Sequence, residues 1–252
     1  MTTTATSIRK LGKLPVRTDV RTLHIARYVD RAELPPSPAS LDLTDHVADW
    51  PMYANDRIGD CTVAAAGHMI EAWTAESRGQ PVEVSERSVL DAFDRVKQVD
   101  PLTGEAGAVV LGVLRNWRHD GIDRHRIGAY AQVPVHDHSL AQTSAWLFGG
   151  LYVGVELPLT AQDQPVWDWT GSLDGPARPG SWGGHAVDLV RYAKDGLTVV
   201  TWGRLQDVTW DFWDRYCDEV YAILSRDFLA QGKAPNGFDL ASLKADLALV
   251  TA

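Results

Sequence analysis

Cys61 follows Gly59 and Asp60 in "NDRIGDCTVAAAGHMIEAW" and stands where an apolar, small-residue helix begins. A thiol there meets the open N–H groups and positive dipole end of the helix, which favour the thiolate, the nucleophilic form. Its chemistry would be attack on a carbonyl carbon, and for that it needs an imidazole to handle the proton. The chain has eight histidines. His24, His46, His119, His125, His136 and His138 lie in polar, turn-like segments and read as surface residues. His68 lies two turns along the helix that Cys61 opens, about 10 Å away at the helical rise, too far for direct proton transfer; it reads as a core histidine. His185 begins the β-type run "HAVDLVRY" directly after "SWGG", a strand start where small residues leave room for a substrate. Most free cysteines are inert, buried hydrophobes, so Cys61 also has a plain packing reading.

The composition narrows the setting. The chain has 252 residues, 45% of them hydrophobic and 23% charged, enough for one large or two modest domains with a substantial core. A formal net charge of −9 with scattered basic residues argues against a nucleic-acid partner, which needs a concentrated basic face. No apolar run has the length of a membrane span, and "MTTTATSIRKLGKLPVR" lacks the apolar core of a secretory signal. A cytoplasmic protein with no membrane partner is expected. The two cysteines, Cys61 and Cys217, show neither CxxC nor His-rich spacing. No disulfide framework, metal site or cofactor is expected.

The elements that must position Cys61 and His185 fall into a helical half and a β half. Residues 1–54, basic and Pro-rich early and turn-like later, are expected to wrap the surface. From Cys61 onward Val63, Ala66, Ile70 and Trp73 share one helical stripe. A second helix is predicted in "SERSVLDAFDRVKQ", capped by Ser85, with Ser88, Val89, Ala92, Phe93 and Val96 inward. A third follows Gly107 in "AVVLGVLRNWRHDGI" and closes at Gly121. Beyond about residue 126 the texture becomes short strands: "RIGAYAQV", "GLYVGVEL", "GGHAVDLVRY", "GLTVVTWG" and "DEVYAILS", with one helix, "SLAQTSAWLFG", among them. The predicted class is α+β: a helical lobe over 55–125, a β lobe over 126–225 and a helical tail over 226–252, with the ligand in the cleft between the lobes.

The order of these pieces resembles the papain-like cysteine peptidase superfamily. In that family a Gln-Gly-x-Cys-Gly-x-Cys-type segment opens the central helix, and a His-Ala-Val strand and an Asn-Ser-Trp-Gly strand follow. Here "NDRIGDCTVAAA", "GGHAVDLVRY" and "VTWG" occupy those places, with "VSERSVLDAF" similar to the family's "LSEQ" helix. The resemblance runs from about residue 34 to 225 and implies a two-lobe fold with the nucleophile at the start of the central helix. It implies Cys61 as nucleophile and His185 as general base and later acid. Asn55, six residues before the cysteine, stands at the oxyanion-hole amide, beside the Cys61 backbone N–H; by composition it is equally a turn residue. At the position that orients the histidine the sequence departs from the family. Anchoring on the tryptophan gives Val200, and counting from the histidine gives Thr201. Thr201 is preferred because its hydroxyl can hydrogen-bond an imidazole, whereas Asp188 is sent to the other face by strand alternation. Trp202 would shield the histidine from water, and Gly107, Trp182, Gly183 and Gly184 would line the substrate track.

The resemblance implies hydrolysis of a peptide or peptide-like amide through a cysteinyl thioester. Acyl transfer, with ligation or cyclisation through the same pair, is an alternative. So is an inactive papain-like binding or structural module, for which the departure at Val200 and Thr201 argues.

Overall fold

The computed structural model describes residues 9–27 and 36–228, so nearly all of the expected C-terminal tail lies outside the described residues. Two short strands, β1 (Leu23–His24) and β2 (Leu41–Asp42), precede helices α1 (Cys61–Arg78) and α2 (Glu86–Val96). A small pair, β3 (Gln98–Val99) and β4 (Ala106–Gly107), leads into α3 (Val110–His119). Next come β5 (Ile127–Gln132), α4 (His138–Phe148), β6 (Leu151–Leu157) and β7 (Val166–Trp167). The chain continues through β8 (Gly183–Ala193), β9 (Gly196–Thr201), β10 (Arg204–Val208), α5 (Trp210–Tyr216) and β11 (Cys217–Ser225). This is an α+β, two-lobe arrangement of a helical region and a mixed sheet. The sheet order is β1-β5-β11-β6-β8-β9-β10-β7, with β2 also pairing to β8.

Every residue of α1 from Cys61 to Ala75 is buried, so this helix is the axis of the molecule and not an amphipathic surface helix. It packs on β8 on one side and on α2 and α3 on the other, with Trp73 stacked on Trp117 at 5.4 Å between ring centroids. The helix ends at Gly79, whose left-handed φ of 75° closes the last turn. Ser85 caps α2 by accepting from the Ser88 backbone N–H at 3.2 Å. The helix α5 was not predicted from its aromatic-rich sequence; Thr209 caps it, accepting from the Phe212 N–H at 3.1 Å. Among the described residues no helix is long and apolar enough to cross a membrane, and no cluster of His, Cys, Asp and Glu is arranged to hold a metal ion.

Several carboxyl groups are buried around the axis. Glu71 of α1 accepts from the Tyr53 hydroxyl, and burial pushes it up to about 8. Burial likewise pushes Asp60 and Glu219 up to about 7 and raises Asp188, beside Glu71. The folded state therefore keeps protons that the unfolded chain releases near pH 4, and stability falls as pH rises through the folded values. His68 and His185 have the opposite sense, since burial lowers them to about 4 and about 3; they cost stability only below about pH 6.5, where the unfolded chain protonates. Between about pH 6.5 and 8 the carboxyl groups dominate, each at most about 1.4 kcal/mol per pH unit. Melting temperature is expected to fall across that window, and Glu71→Gln to flatten part of the slope. A melting temperature that holds level or rises there would refute the assignment.

Candidate active site

Cys61 is the first residue of α1, and Asp60 before it makes no side-chain cap. The thiol is 1% exposed. Burial pushes it up to about 12, opposed by the Ala186 backbone amide, reinforced by the Asp60 carboxyl, and opposed further by the Gly12 amide and Lys13. Ala186 immediately follows His185 in β8, so the start of α1 abuts the start of that strand.

The His185 ring is equally buried. Its Nε2 lies 2.6 Å from Thr201 Oγ1, while Nδ1 is buried with no hydrogen-bond partner. The indole of Trp202 covers one ring face, with centroids 4.3 Å apart and planes 14° from parallel. One backbone feature brings both groups to the imidazole. Thr201 pairs with Arg204 across a two-residue turn in which Trp202 and Gly203 have φ of 45° and 68°, the left-handed pair that matches the twist of a tight hairpin. A bulky residue there costs about 1 kcal/mol or more, which the stacking over His185 and Trp182 offsets. Val200, the alternative for the orienting position, packs instead with Ala72 and Ala75 of α1. Asp188 is also on the α1 side, near Glu71, and His68 bonds through Nε2 to the Pro51 carbonyl at 2.8 Å, between Trp50 and Tyr53.

Asn55 corrects an expectation. Its amide nitrogen donates to the Ile58 carbonyl and to Asp60 Oδ1, both at 3.1 Å. Both N–H bonds are thus used inside the loop that delivers Cys61, and neither is directed at an oxyanion. The physical reason is the entry to this loop: Tyr53 and Ala54 are both left-handed, with φ of 52° and 68°, which turns Asn55 inward to 2% exposure.

The N-terminal region also departs from expectation, because residues 10–14 do not wrap the exterior but run through the cleft. Lys10 donates its N–H to the Asn55 carbonyl at 3.0 Å, and Lys13 to the Gly184 carbonyl at 3.1 Å. Ala108 donates to the Gly12 carbonyl at 2.8 Å and accepts from Leu14 at 3.0 Å. Trp202 Nε1 donates to the Lys10 carbonyl at 3.1 Å. Of the residues expected along a substrate track, Gly107, Gly183 and Gly184 border this segment, and Ala108 beside Gly107 makes the paired backbone bonds. Gly107 contributes by lacking a side chain, since a Cβ there would lie 2.5 Å from the Gly12 carbonyl. Gly183 faces Leu11, and a Cβ on Gly184 would strike the Lys13 carbonyl. Trp182 stacks on Trp202 at the rim.

Sequence reasoning missed three acidic residues at the end of this passage. Lys13 Nζ lies 2.6 Å from Asp218, 3.1 Å from Glu156 and 3.7 Å from Glu219. Burial works against the ammonium, but these carboxyl groups outweigh it and hold the lysine above its ordinary range. The available signal was "CDEVYAIL", two consecutive acids opening an otherwise apolar strand.

This α+β, two-lobe arrangement is a papain-like fold, shared with several solved cysteine proteases. The chain is similar to xylellain, a cysteine protease from Xylella fastidiosa, with 15% identity and a TM-score of 0.60 over 89% of this chain and 99% of that one. It is also similar to a Carica candamarcensis cysteine protease solved in complex with E-64, at 16% identity and a TM-score of 0.51 over 74% and 98% of the two chains. A digestive procathepsin L 3 of Tenebrio molitor larval midgut gives 14% identity and a TM-score of 0.56 over 87% and 77%. No family model matches the sequence, and no curated protein does.

Proposed function

We propose that the chain is a thiol-dependent hydrolase of peptide or peptide-like amide bonds, with Cys61 as nucleophile and His185 as its acid and base. The observation that carries this reading is the peptide segment 10–14, bonded to Asn55, Ala108 and Gly184 with the Gly12 amide against the Cys61 thiol, where an extended peptide backbone is already accommodated. The likeness to several cysteine proteases supports it at the level of fold.

Thr201 accepts the Nε2 proton, which leaves Nδ1 as the free base. When substrate replaces the segment, Nδ1 takes the thiol proton as sulfur bonds to the carbonyl carbon and the carbonyl electrons move to oxygen. The oxyanion is held by the Cys61 backbone N–H at the helix start, with Asn55 holding the loop. His185 then gives the proton to the leaving amine as the C–N bond breaks. Water next attacks the thioester, its proton passing to His185, and the thiol departs with that proton. A non-catalytic module is the second reading, favoured by the committed amide of Asn55. Turnover of a fluorogenic peptide library by the full chain, with and without Gly12→Ala, separates the two; no cleavage by either form would leave the module.

Thr201 is a positioning residue. Replacing it with isosteric valine removes a hydrogen bond of about 1 kcal/mol, so kcat is expected to fall roughly fivefold with KM nearly unchanged, and Thr201→Ser to restore most of it. An equal loss in the serine variant would make the role one of packing.

A further inference from the structure

Lys13 is 4% exposed and its side chain is wholly enclosed. The slot that encloses it is built by a defect in strand pairing. Between β6 and β11, Cys217 pairs with Val155 but Glu219 pairs with Gly154, so Asp218 is an extra residue at a bulge. Strand alternation would send consecutive side chains to opposite faces; the bulge brings both Asp218 and Glu219 to Lys13. Glu156 arrives from β6, two residues beyond Gly154. Gly154 forms the floor, since a Cβ there would lie 2.5 Å from Lys13 Cε and 2.6 Å from Glu219 Cγ.

We infer that this slot, formed by Gly154, Glu156, Asp218 and Glu219, selects a lysine side chain in the peptide substrate. The inference rests on the peptide-acting reading above and names what that site recognises. Lys13 reaches the slot from the same backbone track, tied to Ala108 and Gly184, that a peptide must occupy to lie over Cys61. Three carboxyl groups meet a single ammonium, which lies 3.7 Å from Glu219 Oε1, and among the described residues Asp218 Oδ1 and Glu219 Oε1 make no hydrogen bond. When the segment leaves, the acids lose their cation and must take up protons or stay unpaired. A peptide that restores a cation regains what Lys13 supplied, and a neutral one does not.

The test uses the full chain carrying Lys13→Ala to empty the slot and Cys61→Ala to prevent turnover. Two dye-labelled peptides, acetyl-Leu-Gly-Lys-Leu-amide and its norleucine analogue, are compared by fluorescence anisotropy. The lysine peptide is expected to bind at least tenfold more tightly, and the difference to vanish with Asp218→Asn and Glu219→Gln together. Equal binding, or a lysine peptide that does not bind a folded chain, overturns the inference and leaves Lys13 as a latch for its own segment. Gly12→Ala, which is expected to lift the segment and its Lys13 out of the slot, provides the same comparison if the alanine variant does not fold. Because the readout is binding, a failure of hydrolysis counts against the catalytic reading alone.

Discussion

Cys61→Ser and His185→Ala, each in the full chain, are expected to lower kcat/KM for peptide hydrolysis by at least about a thousandfold, and the double variant to lose little more. The non-additivity follows from their acting as one unit. In the resting site the thiol is pushed up to about 12 and the imidazole down to about 3, both by burial, so at neutral pH both are uncharged. In the proposed mechanism neither is reactive alone: the thiol needs Nδ1 to take its proton, and among the described residues Nδ1 has no hydrogen-bond partner. Independent losses that multiply in the double variant would mean that two separate features had been damaged.

Gly12→Ala is expected to raise the alkylation rate of Cys61 roughly tenfold or more. The added methyl would be driven into the Gly59 carbonyl. Gly59 has little room around it, since a Cβ there would itself lie 2.5 Å from the Ala106 carbonyl and 2.6 Å from the Leu11 carbonyl. Overpacking of this kind costs about 1–3 kcal/mol, set against a hold made of backbone hydrogen bonds worth about 1 kcal/mol each and the Lys13 ion pairs. The clash weakens that hold, so residues 10–14 lift from the cleft more often, which exposes the sulfur and lowers its desolvation. An unchanged rate would show that the segment does not control access to Cys61.

Some of this was legible in the sequence because it lies in continuous motifs. Cys61 at a helix start, His185 at a strand start and the spacing to Thr201 are local patterns, and α1, α2, α3, α4 and the long strands follow from hydrophobic period and caps. The lysine slot was not legible: its partners are 143 and 205 residues from Lys13, and the bulge at Asp218 breaks the alternation on which strand reading depends. The cleft-bound segment was read as surface from its basic, Pro-rich composition. Its contacts are made by backbone amides and absent glycine side chains, which leave little trace in composition. Asn55 was placed correctly in its loop, but its partners are set by the left-handed Tyr53 and Ala54, which carry no glycine to announce them.

The most direct measurement of the central claim is adduct mapping by mass spectrometry after treating full-length Gly12→Ala with an epoxide-type thiol probe between pH 6 and 7. The account predicts a single adduct on Cys61, none on the buried Cys217, and loss of labelling when His185→Ala is added. Slow, equal labelling of both cysteines that ignores His185 would contradict it.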